Sequence, residues 1–216
     1  MAKTNVNKVY VITLGPDMVL CRKIRNLKSE AKDLVGDQVF INDPPHLTLY
    51  IGYFDDFQEF NKELVSAAKK IKGHLKGGVV IDDWMVFKGD MITNKQTLAC
   101  NIAKNAAKSL EKVQKEVVPI MKRYRKKMVS GRYSQVYDVL GNAEKKNIDK
   151  YGFPFVGRVW KPHISIASFD NPAFAKVWER FKNKCPKGKY CLDSLNVYIL
   201  DEDNENITLL KKYHLR

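Results

Sequence analysis

No apolar run in this chain approaches the roughly 18 residues that a membrane-spanning helix needs, which argues against a membrane partner. No apolar stretch follows Met1-Ala2-Lys3-Thr4-Asn5, so a secretory leader is not expected and a cytoplasmic protein is. Only four cysteines occur, and none forms a C-x-x-C pair. Cys21, Cys100, Cys185 and Cys191 read as reduced thiols or small hydrophobes, with a Cys185–Cys191 bridge as the minor alternative. No stretch is rich in Pro, Gly and Ser, so a single domain over 1–216 is expected. Acidic residues are scarce: 24 Asp or Glu stand against 38 Lys or Arg, for a formal net charge of +14. Half of that excess lies in residues 101–130, where nine Lys or Arg face two Glu. Such a balance suits a polyanionic partner, and equally a lysine-rich surface.

What is present is a regular alternation of short elements. Val9–Leu14 reads as a strand ending at the turn Gly15-Pro16-Asp17. Met18, Cys21, Ile24, Leu27, Ala31 and Leu34 recur at helical spacing, with Gly36 as the stop. A strand at about 46–52 precedes a second helix marked by Phe57, Phe60, Leu64, Ala67 and Ile71 and closed by Gly73. Val79–Lys88 and about 97–102 read as strands around a loop with Asn94. A long apolar stripe from Ala106 to Met128 predicts a helix, broken at Pro119. Weak periodicity over 129–158 predicts a long loop with a short helix in it. A second strand with a His follows, then a short helix from Phe174 to Phe181. Leu195–Leu200 and Ile207–Tyr213 form a closing hairpin around an acidic turn. The two halves echo one another, and the class is α+β.

Within that echo, two segments match closely: Pro45-His46-Leu47-Thr48-Leu49-Tyr50-Ile51 and Pro162-His163-Ile164-Ser165-Ile166-Ala167. In an extended strand, side chains alternate between faces. His46, Thr48 and Tyr50 then share one face, and His163, Ser165 and Ala167 repeat the pattern. Each strand buries an aliphatic stripe and presents an imidazole beside a hydroxyl. Two imidazoles in one cleft suit acid/base chemistry at a phosphodiester. Near its ordinary pKa of about 6.5, one His is neutral and abstracts a proton while its charged partner protonates the leaving oxygen.

The twin His-Leu-Thr-Leu and His-Ile-Ser-Ile segments resemble the paired signature of the 2H phosphoesterase superfamily. Its members include 2′-5′ RNA ligase-like proteins, cyclic phosphodiesterases and 2′,5′-oligoadenylate phosphodiesterases. The resemblance covers most of the chain. It implies a bilobal α+β fold: two pseudo-symmetric lobes of antiparallel sheet plus helices around a central cleft. It implies His46 and His163 as the catalytic pair, with Thr48 and Ser165 bonding the phosphate oxygens. It also implies a metal-independent phosphodiesterase with no cofactor. The substrates it suggests are RNA, an oligonucleotide or a cyclic nucleotide, cut at 2′,3′-cyclic phosphate ends or 2′-5′ linkages. A monomer is expected.

Which His is base and which is acid stays open. The alternatives are 2′-5′ RNA end-joining and a non-catalytic RNA- or nucleotide-binding module with the same cleft. A metal site using His with Asp55 and Asp56 is a further option, disfavoured because H-x-x-x-H and H-x-H spacings are lacking. Arg158 and Lys161 could meet a phosphate or base, or simply be exposed. Tyr50, Tyr133 and Trp160 are candidates for packing on the sugar or stacking on bases, weighed against core packing; Tyr137 is a lesser one. His74 and His214 match no motif. The cluster Lys122-Arg123-Tyr124-Arg125-Lys126-Lys127 reads as a solvated helix end rather than a nucleic-acid track.

Overall fold

The computed structural model describes residues 8–126, 131–201 and 206–215. Two four-stranded antiparallel sheets carry the fold. The first runs in the order β2 (Leu47–Phe54), β1 (Lys8–Pro16), β7 (Leu192–Asp201), β8 (Asn206–His214). The second runs β5 (His163–Phe169), β4 (Gln96–Ile102), β3 (Val79–Phe87), β6 (Gly188–Tyr190). Each sheet therefore has at one edge a strand that begins at, or directly after, one of the paired histidines. The inner neighbour of that strand precedes it in sequence across a long helix.

Those helices reach across to the other sheet. The helix α1 (Met18–Val35) joins β1 to β2 of the first sheet and packs both on β1 and on β5 of the second sheet. After α2 (Phe57–His74), the helix α3 (Lys104–Tyr124) joins β4 to β5 of the second sheet but packs on β2 and α2. The apolar stripe of α1 is buried at Leu20, Ile24, Leu27 and Ala31. Asp17 caps its start by accepting from the Leu20 amide at 2.9 Å, and Gly36 ends it at φ 77°, where a side chain would be strained. Gly73 does not stop α2, which runs on to His74.

The expected break at Pro119 is not there: α3 is continuous through it. Pro119 lies on the solvent side, so water can serve the carbonyl that loses its amide partner, while Val113, Val117 and Met121 hold the opposite face in the core. The helix ends at Tyr124, short of Met128; residues 127–130 lie outside the described set, as do 202–205 of the acidic turn. The expected long loop is more ordered than its periodicity suggested. It holds α4 (Gly131–Ser134), a 3-10 turn at Tyr137–Val139, α5 (Asn142–Tyr151) and a second 3-10 turn at Gly157–Val159. It packs its Tyr and Phe residues as a small aromatic layer: Tyr133, Phe153 and Phe155 meet edge-on with ring centroids 5.7–6.1 Å apart. The last helix, α6 (Asn171–Phe181), follows β5 and packs beside α1. All four cysteines are free thiols. Among the described residues, no helix is long and apolar enough to cross a membrane.

Candidate active site

His46 immediately precedes β2 and His163 begins β5, and both line one cleft of about 480 Å³ with Thr48 and Ser165. The two motifs share a local device. Nδ1 of His46 donates to the carbonyl of Pro44 at 2.7 Å, and Nδ1 of His163 donates to the carbonyl of Lys161 at 2.7 Å. In both cases the acceptor sits two residues upstream, and the residue between is a proline, Pro45 or Pro162. Proline fixes φ and has no amide to compete, which helps set the preceding carbonyl toward the ring. A carbonyl only accepts, so each ring carries its proton on Nδ1 when neutral. The other nitrogen, Nε2, is then the one with a lone pair to offer.

Both strands also bulge at the same place. Thr48 lies opposite Thr13 and Tyr50 opposite Ile12, which leaves Leu49 without a partner. Ser165 lies opposite Ala99 and Ala167 opposite Leu98, which leaves Ile166 without one. A bulge resets the alternation of faces. This corrects the expected position of Tyr50: Ile51, not Tyr50, is a wall of the cleft. Tyr50 is fully buried, packs 5.4 Å from Phe153 and donates its hydroxyl to the carbonyl of Tyr151. The first bulge is held from α3. Gln114 donates to the carbonyls of Leu49 at 3.4 Å and Phe155 at 2.9 Å, and accepts from the Gly157 amide at 2.9 Å.

The remaining candidates fall in different places. Lys161 is exposed and lines the cleft, whereas Arg158 is exposed and does not. Tyr133 lines the cleft from the aromatic layer, with only 3% of its surface exposed. Trp160 also reaches the cleft, but its indole N–H donates to the Thr48 carbonyl at 3.2 Å. The segment leading into the second motif is thereby tied to the first. The basic cluster at the end of α3 does not line the cleft. Arg123 pairs with Glu63 at 2.7 Å, Lys126 pairs with Asp55, and Arg125 donates to the Asp149 carbonyl at 3.0 Å; Lys127 is not among the described residues. Asp56 caps α2, so both acids considered as metal ligands are otherwise engaged. Among the described residues, no group of three His, Cys, Asp or Glu side chains is placed to hold a metal ion. His74 lies 3.5 Å from Glu116, and His214 is exposed.

The electrostatic settings of the two rings differ. Both are half-buried, and desolvation lowers the pKa of each, since a charged ring there loses hydration. His46 is pushed down to about 4: burial dominates, the Pro44 hydrogen bond opposes it, and the charges of Lys28 and His163 add to the lowering. His163 is lowered by burial, but its hydrogen bond to Lys161 and the Asp90 carboxylate both oppose. Asp90 is fixed in the loop between β3 and β4, accepting from Thr97 Oγ1 at 2.7 Å and the Ile92 amide at 2.8 Å. The Phe87 ring lies 4.7 Å from His163.

Lys28, Asp43 and Asp90 line this cleft and were not singled out from the sequence. Lys28 was open to detection, because it stands four residues after Ile24 and three before Ala31, on the apolar stripe of α1. A lysine at that spacing has to be buried or to break the stripe.

No protein-family model and no curated protein sequence matches this chain. Solved structures with a similar course of the backbone include E. coli LigT in its apo form, at 14% identity and a TM-score of 0.48, covering 96% of this chain and 97% of that one. Kluyveromyces marxianus Usb1 matches at 12% identity and 0.49 over 96% and 97% of the two chains. A protein described as a phosphoesterase matches at 10% and 0.46 over 96% and 98%. LigT has also been solved with NADP+, with 3′-AMP and with ATP. Likenesses at this level bear on no residue of the cleft.

Proposed function

We propose that this protein is a phosphodiesterase of the 2H type, acting on RNA-type substrates at a 2′,3′-cyclic phosphate end or a 2′-5′ linkage. One observation carries the reading: two His-x-hydroxyl segments from two different sheets line one cleft with the same Nδ1-to-carbonyl tie. That tie leaves Nε2 of each ring as the reactive nitrogen, which is the arrangement that concerted proton transfer needs. In hydrolysis, one neutral ring takes a proton from water as the water oxygen bonds to phosphorus. The other ring, charged, gives its proton to the ribose oxygen as its bond to phosphorus breaks. One P–O bond forms, one breaks, and the protons balance. Thr48 and Ser165 donate to the non-bridging oxygens, and the nearby Lys161 adds positive charge as negative charge grows there. Lys161, Tyr133 and Trp160 belong to the substrate-binding walls in this reading; Arg158 and Tyr50 do not.

The test is a panel of substrates, incubated with EDTA and resolved by chromatography: nucleoside 2′,3′-cyclic phosphates, 2′-5′ and 3′-5′ oligoadenylates, and RNA with cyclic phosphate ends. Cleavage of one member is expected. His46→Ala and His163→Ala should each lower its rate by at least about a hundredfold, the scale of a lost acid or base. A folded single variant that keeps a near-normal rate would sink the two-histidine reading.

A further inference from the structure

Lys28 is 5% exposed, yet it lines the cleft beside His46. Burying an ammonium is costly, and the cost is recovered only through hydrogen bonds and opposite charge. Among the described residues, the hydrogen bond it makes is to a neutral acceptor: Nζ donates to the Phe40 carbonyl at 2.5 Å. Burial lowers its pKa to about 8, with the Asp43 carboxylate opposing, so it remains largely charged near neutral pH. An ammonium has three N–H donors, and the Phe40 carbonyl takes one. Phe40 itself holds φ 67°, a left-handed conformation that a bulky residue rarely adopts. Its neighbour Val39 accepts from the Ser168 amide at 2.9 Å, which ties this loop to β5. The loop is thus fixed from both sides, and Lys28 is held at the cleft wall.

The charge of the same lysine adds to the lowering of the His46 pKa, behind burial. Around His46 stand Lys28 from α1, His163 from β5, Asp43 from the preceding loop, and Tyr198 from β7, whose ring lies 6.1 Å away. Around His163 stand Asp90 from the β3–β4 loop, Phe87, and Lys88 and Lys161 at the rim. Of these groups, the charge of Lys28 acts on His46 and the Asp90 carboxylate acts on His163.

We propose that Lys28 binds a non-bridging oxygen of the scissile phosphate. The proposal rests on the phosphodiesterase reading for its reaction but not for its anion site. A purely structural Lys28 would only staple the Phe40 loop. Lys28→Gln separates the two roles, because an amide can still donate to the Phe40 carbonyl but carries no charge.

The probes are inorganic phosphate and the ring resonances of His46, followed by NMR in the whole protein. Phosphate affinity should fall about tenfold in Lys28→Gln and recover in Lys28→Arg, the size of one lost charge-assisted contact of roughly 1.4 kcal/mol. The His46 titration should move upward in the Gln variant, and kcat/KM on the best substrate should fall with phosphate affinity. In the wild-type protein, the Lys28 Nζ resonance should respond to phosphate, a readout that survives even if the Gln variant does not fold. A folded Gln variant with unchanged phosphate affinity would overturn the proposal, as would a silent Lys28 Nζ resonance. If no panel substrate is cleaved while these responses hold, the reaction fails and the phosphate site stands.

Discussion

Acidification should expose His46 as a stability determinant, in a direction opposite to that of a histidine held by a carboxylate. Its folded pKa is about 4 against an ordinary 6.5. Between those values the unfolded chain binds the proton more readily than the folded one. Stability is therefore fully present above about pH 6.5 and is lost as pH falls toward 4. At roughly 1.36 kcal/mol per pH unit, full depression over that gap is worth about 3.4 kcal/mol. The ring is half-buried rather than sealed, and solvent screening brings the expectation to about 2 kcal/mol. Other groups titrate in the same range, so the comparison must be differential. His46→Asn keeps an N–H donor for the Pro44 carbonyl but does not ionise. Urea denaturation of both proteins, from about pH 7 down to about pH 4, should show the wild type losing about 2 kcal/mol more than the variant. Parallel stability curves would refute the desolvation argument for this ring. The same depression should bring the acid limb of kcat/KM below about pH 5, lower than two unperturbed histidines would give.

Two further outcomes follow from where the side chains sit. Neutralising Lys122, Arg123 and Lys126 together should leave kcat/KM on short substrates within about twofold, because none of them lines the cleft; a tenfold loss would put the end of α3 at the site. Tyr50→Phe removes a buried donor to the Tyr151 carbonyl, so it should cost about 1 kcal/mol in urea denaturation while leaving kcat unchanged; a large loss of kcat would return Tyr50 to the cleft.

Much of the architecture was legible because it rests on local chemistry. The stripe Leu20, Ile24, Leu27, Ala31 with Gly36 after it gave α1 and its end. The paired His-x-hydroxyl segments gave two strands and the four residues that now share one cleft. Alternation, helical spacing and the prolines before His46 and His163 all act over a few residues, so they are written in the sequence. Other features depend on partners far along the chain. The bulges at Leu49 and Ile166 arise from pairing with β1 and β4, and they moved Tyr50 out of the cleft and Ile51 into it. The continuity of α3 past Pro119 depends on which face packing left to solvent. The order within 129–158 depends on aromatic contacts and on Gln114 across the fold. The sequence by itself determined the elements and the twin histidines. Only the tertiary structure decided which groups surround each ring, and hence that the charge of Lys28 acts on one and Asp90 on the other, because electrostatics follows distance in space rather than along the chain.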